Sequence, residues 1–143
     1  MVTDSAPADR GEPRWPGERL GLPATGPRSI ARLGRRLAAL FIDWAIAWIL
    51  SVAFFPIAEW QPNSWATLAI FAAEQVVFLL LVNGGVGHLL LGMRVVPVVP
   101  GRLGIWRPFV RTALLCLAIP ALIWDADQRG LHDRLAGTML VRV

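Results

Sequence analysis

The sequence predicts an all-α membrane protein, and three observations carry that expectation. The 143 residues are 55% hydrophobic and only 17% charged, where a soluble domain averages about 25% charged. Two long runs are almost wholly apolar, and the arginines flank those runs. Mean hydropathy is +0.53. All 14 basic residues are arginine, beside two histidines, one cysteine and no tyrosine. A phosphate-loop lysine, a Schiff-base lysine and an internal disulfide are therefore impossible, and a cysteine-rich zinc cluster is excluded with them. No cofactor, metal or enzymatic activity is expected.

Residues 1–27 hold five prolines and four acids without an apolar stretch, which reads as a disordered, proline-rich cytoplasmic tail. With no signal-peptide core in it, Met1 is expected to begin the mature chain. The membrane domain then occupies 28–143. Its first span is Leu37 to Phe55, nineteen residues whose only charge is Asp43. At 1.5 Å per residue this covers about 28 Å, the thickness of a hydrocarbon layer. Pro56 closes it. The second span is Trp65 to Val82, interrupted only by Glu74 and Gln75.

The connector 57–64 contains no arginine, whereas Arg28, Arg32, Arg35 and Arg36 precede the first span and Arg94, Arg102 and Arg107 follow the second. The positive-inside rule places both flanks, and the N-terminus, in the cytoplasm. Trp60 and Trp65 then belong to an outer aromatic belt, with Trp106 and Trp124 as candidates for the inner one. A third apolar segment, 109–124, is only sixteen residues long, carries Arg111 near its start and is broken by Pro120. Two arrangements stay open for it: a re-entrant or interfacial helix pair bent at the proline, or a true third span. The β-branched runs at 93–99 and 138–143 suit a small cytoplasmic β pairing, which requires both to lie on the same side of a membrane and favours the re-entrant arrangement.

A charge inside a span costs about 2.5–3.5 kcal/mol on insertion scales. Asp43 lies six residues from the inner end of its span and Glu74 eight from the inner end of its own, so antiparallel packing would bring the two carboxylates to one level. Such a pair cannot comfortably ionise together, and a proton, a cation or an arginine would neutralise it. Arg36, two helical turns below Asp43, reaches only part of the way. Arg111 is the other candidate partner. The residues Asp43, Glu74 and Arg111 are thus read as an intramembrane polar cluster, either structural glue between helices, a proton or cation site, or a contact with a partner subunit. Gln75 points about 100° away from Glu74 and is assigned to a different interface.

Other motifs lead nowhere chemical. His132-Asp133 lacks the further ligands of a metal site, and Asp133, Arg134 and Thr138 read instead as a polar cap over the helices. Asp125-Ala-Asp127 lacks the later positions of a calcium loop. Gly84-Gly85-Val86-Gly87 lacks the lysine of a phosphate loop and reads as a flexible exit from the second span. Cys116, in an apolar helix, reads as an inert small hydrophobe. No serine, histidine and acid are spaced as a nucleophilic set. The arginines abut spans instead of forming a stripe with a reading element, so no nucleic-acid partner is expected.

Three ordered motifs resemble those of the RDD family of small bacterial integral membrane proteins. GRRLAALFID supplies Arg36 and Asp43 at the family's arginine and first aspartate; GGVGHLLLGMRVV at 84–96 is similar to its glycine-rich segment; RGLHDRLAGTMLV at 129–141 supplies Asp133 as the second aspartate. The resemblance covers about 28–143. It departs from the family where a basic pair often follows the last glycine and His88-Leu89 stands here. It implies a multi-pass protein of the bacterial cytoplasmic membrane, with transport suggested for some members and sodium–proton exchange linked to others. The expectation is a non-enzymatic accessory or assembly module in the bilayer, acting as a homo-oligomer or within a larger membrane complex. The alternative is a subunit of a proton- or cation-coupled transporter using the intramembrane carboxylates.

Overall fold

The computed structural model describes residues 12–117 and 128–143. Two long helices dominate: α1 (Leu33–Phe54) and α2 (Ser64–Val82). Each is long and apolar enough to cross a membrane, and both match the two expected runs, α1 starting four residues earlier. Asn63 starts α2 as an N-cap, its Oδ1 accepting from the amides of Trp65 (3.0 Å) and Ala66 (3.2 Å). This satisfies two of the donors every helix leaves open at its head.

The helices meet along two narrow stripes. On α1 the buried residues are Arg36, Ala39, Asp43, Ala47 and Ser51; on α2 they are Thr67, Phe71, Gln75 and Leu79. Steps of three and four residues keep each stripe on one face. Small side chains on α1 let larger ones on α2 approach: Phe71 stacks on Trp44, ring centroids 4.7 Å apart. Ser51 Oγ donates to the Asn63 carbonyl at 3.0 Å, tying the tail of α1 to the head of α2. The other faces carry large exposed apolar residues, including Phe41, Ile49, Phe54 and Leu81.

Beyond α2 come a short helix α3 (Val86–Leu90) and strand β1 (Met93–Pro97), then α4 (Trp106–Cys116), α5 (Leu131–Ala136) and β2 (Thr138–Arg142). β1 and β2 pair antiparallel, Val95 opposite Leu140. The expected β pairing is therefore present. Ile30 adds a bridge to Val141, and Ala31 N donates to the Leu140 carbonyl at 2.9 Å, so the segment entering α1 lines the free edge of β2. Met93, Val95 and Leu140 join Ala31, Ala39 and Leu79 in one apolar core.

Residues 12–27 differ from the expected disordered tail. A single 3-10 turn, Glu18–Leu20, is set between Gly17 and Gly21, both with positive φ. Leu20 and Leu22 pack on Ile30, Met139 and Val141, and Trp15 Nε1 donates to the Leu22 carbonyl at 2.9 Å. Proline content lowers the entropy lost on ordering, and the sheet supplies an apolar surface that the tail's own sequence does not announce.

Of the third apolar segment, 109–116 fall within α4, an eleven-residue helix that begins three residues earlier at Trp106. Pro120, Trp124, Asp125 and Asp127 lie outside the described residues, so the choice between a re-entrant and a spanning segment falls there too.

Candidate functional site

Two aspartates, both fully buried, organise the interior. Asp43 sits midway along α1, facing α2 and α3. Its Oδ2 accepts from Gln75 Nε2 at 2.6 Å, and its Oδ1 accepts from the Gly87 amide at 2.5 Å. The second bond caps the first turn of α3 from a different helix. His88 Nδ1 lies 4.0 Å from the same carboxylate but accepts from the Gly85 amide at 3.0 Å, so the ring proton belongs on Nε2. Burial, then Arg111, push His88 down to about 3, against a weaker upward pull from Asp133. It is a neutral neighbour of Asp43, not an ion-pair partner.

The glycines explain this packing. A Cβ on Gly87 would overlap the backbone of Ala39, and one on Gly85 would stand 2.7 Å from both Asp43 Oδ2 and Gln75 Nε2. Gly84-Gly85-Val86-Gly87 is thus a close-approach element that seats α3 on α1. It is not the flexible exit expected from its composition.

Asp133 opens α5 and is held by charge. Arg111 Nε donates to its Oδ1 at 2.6 Å and Arg36 Nη1 to its Oδ2 at 3.3 Å. Thr138 Oγ1 donates at 3.3 Å, and His132 Nε2 lies 3.6 Å away. Burial alone would push this carboxyl up, but Arg111, His132 and Arg36 together outweigh it and hold the group well below the usual carboxylate range. Arg36 also donates from Nε to the Ala31 carbonyl at 2.8 Å and from Nη2 to the Leu140 carbonyl at 3.4 Å. One guanidinium therefore joins α1, the segment before it, α5 and β2.

The expected grouping of Asp43, Glu74 and Arg111 is rearranged. Arg111 hydrogen-bonds to Asp133, and Arg36 likewise turns to Asp133 instead of climbing toward Asp43. Gln75, assigned from sequence to another interface, is the direct partner of Asp43. Glu74 lies near Asp43 and the Val86 amide, yet among the described residues neither of its buried oxygens has a partner in good hydrogen-bond geometry. The expected cap over the helices includes Thr138 but not Arg134, which is exposed.

Between the two aspartates a cavity of about 40 Å³ is lined by Arg36, Gln75, His88, Arg111, His132 and Asp133, among others. Arg111 Nη1 and Gln75 Oε1 are buried there without hydrogen-bond partners among the described residues. The cavity is also walled by Leu37, Leu40, Leu115 and Leu140 and is mostly apolar, but this unpartnered donor and acceptor are the groups a water there would serve. Gln75, His88 and His132 were missed as site residues. The signal for Gln75 was available, since Thr67, Phe71, Gln75 and Leu79 recur every four residues; the histidines carried no comparable pattern. Among the described residues no group of three or more His, Cys, Asp or Glu could hold a metal ion.

Comparison with family models, with curated proteins and with solved structures finds no match for this chain.

Proposed function

We propose that the chain is a small, non-enzymatic integral membrane protein of the RDD type, an accessory or assembly module that works as an oligomer or within a larger membrane complex. The observation carrying this reading is the direction the polar groups face. Arg36, Asp43, Arg111 and Asp133 hydrogen-bond inward within one protomer, while the outward faces of α1 and α2 are apolar. Charges paired in this way lock elements together, which supports a structural role for them. The apolar exterior suits lipid and protein neighbours.

The pairing of β1 with β2 supports a common side for residues 93–97 and 138–142, in keeping with an N-terminus, an arginine-bearing loop and a final strand that are all cytoplasmic. Purification of the full chain in a mild detergent tests the module reading. A stable complex larger than the monomer is expected; a monodisperse monomer with no co-purifying protein overturns it. Labelling a cysteine placed at Arg142 from each side of the membrane tests the topology, with cytoplasmic labelling alone expected.

A second reading is favoured by Glu74, whose buried oxygens lie near Asp43 and have no partner in good hydrogen-bond geometry among the described residues. Two neighbouring carboxylates suit a bound proton or cation, as a subunit of a proton- or cation-coupled transporter would need. Cation-dependent proton movement in everted vesicles, removed by Glu74→Gln, supports that reading. No movement from reconstituted wild type eliminates it.

A further inference from the structure

A pocket of about 240 Å³ at the head of α1 is lined by Arg32, Arg35 and Arg142 together with Ser29, Ile30, Ala24 and Thr25. Among the described residues no acidic side chain lines it. Arg32 and Arg35 are neighbours at the head of α1, and the fold brings Arg142 to them from the end of β2. Arg142 is held by β2 and by its amide's bond to the Ser29 carbonyl at 2.9 Å. Arg35 is steadied through Nη1, which donates to the Leu91 carbonyl at 2.9 Å. Among the described residues Arg32 and Arg142 enter no ion pair, and the first turn of α1 contains no acid.

The internal charges are already matched elsewhere, Arg36 and Arg111 by Asp133. Among the described residues no carboxylate forms an ion pair with this second arginine group. Guanidinium forks suit the oxygens of a phosphate group. The pocket sits at the head of an apolar helix long enough to cross a membrane, whose first turns expose Leu33, Leu37 and Phe41 on a face other than that of Arg35.

We propose that Arg32, Arg35 and Arg142 form a specific site for a phosphate group, the chemistry shared by anionic phospholipid headgroups and free phosphate, and that its occupant is an anionic phospholipid whose headgroup is held at the head of the apolar helix α1. The proposal rests on the membrane reading above. That reading is checked separately by carbonate extraction, after which the chain must remain with the membrane pellet.

The site itself is tested on the full chain in non-ionic detergent, by native mass spectrometry and thermal denaturation with phosphatidylglycerol, phosphatidylcholine or inorganic phosphate. Phosphatidylglycerol is expected to stay bound and raise the melting temperature, and phosphatidylcholine is not. Each pocket arginine is worth about fivefold in affinity near a charged surface, so Arg32→Gln with Arg142→Gln should weaken phosphatidylglycerol about 25-fold. Arg32→Gln alone, a change at an exposed side chain, should weaken it about fivefold. The pair Arg94→Gln with Arg102→Gln, outside the pocket, should change it little. Equal losses from the two pairs would reduce the effect to diffuse charge and overturn the site. Saturation by inorganic phosphate with no gain from phosphatidylglycerol would overturn the lipid as occupant.

Discussion

Asp43 and Asp133 are the same residue, equally buried, in surroundings of opposite kind. Asp133 is neutralised by formal charge, with two guanidiniums in contact and a threonine hydroxyl beside them. Asp43 is held by dipoles, a backbone amide and a carboxamide, with a neutral imidazole nearby. The difference follows position along the helices. Asp133 lies beside the sheet, where arginines reach it from the first turn of α1 and the middle of α4. Asp43 lies a further two turns into α1, where a long cationic side chain would have to leave its anchoring carbonyls. A buried carboxylate can be stabilised by either route, but only the charged route leaves a large penalty when one partner is removed.

The largest effect should therefore come from Asp133→Asn, which strands Arg36 and Arg111 in the interior without a counter-charge. A loss of about 3–5 kcal/mol is expected, read as collapse of membrane abundance and of thermal stability in detergent. A variant with wild-type stability would mean that the two guanidiniums find other compensation. Gly87→Ala should rank next. Its Cβ meets the Ala39 backbone, so α3 must lift away from Asp43, at a cost of about 2–3 kcal/mol. If Gly87→Ala and a surface substitution such as Arg102→Gln melt alike, the close approach of α3 to α1 is not required.

A pH titration separates the two regions. Asp133 is depressed in the fold, so its contribution is fully present above the ordinary carboxylate range and is lost only as pH falls below it. His88 is pushed from an ordinary 6.5 to about 3, so the unfolded chain takes up its proton first. Its contribution is full above 6.5 and declines as pH falls from there toward 3. Between pH 7 and 5 the wild type should lose about 2 kcal/mol through His88. His88→Asn, which keeps an acceptor for the Gly85 amide, should flatten that part of the curve; an unchanged slope would assign it to another group.

Asp43→Asn should have the smallest effect of the set, about 1–2 kcal/mol, because Asn Oδ1 can still accept from the Gly87 amide while Gln75 turns to offer its oxygen. Cys116→Ser, at a half-buried position, is the baseline at about 0.5 kcal/mol or less. Equal membrane levels of these two variants would count against a structural role for Asp43.

Much of this arrangement could be read directly from residue order. The two apolar helices, the arginine boundaries, the strand-like runs and the cost of burying Asp43 all follow from local composition and helical period, which act within a few residues. The stripe Thr67, Phe71, Gln75 and Leu79 was equally present in the sequence, although the charge on Glu74 drew the assignment away from Gln75. Pairings across the chain were another matter. Arg111 could reach for either aspartate as far as the sequence says, and only the packing of α4 against α5 decides for Asp133. The glycines at 85 and 87 signalled freedom by their type, whereas the closeness of α1 makes them a requirement of space. Local physics determined which segments are helix, strand and apolar surface; which buried charge meets which partner depends on geometry between residues up to 104 positions apart, and only the tertiary structure supplies that.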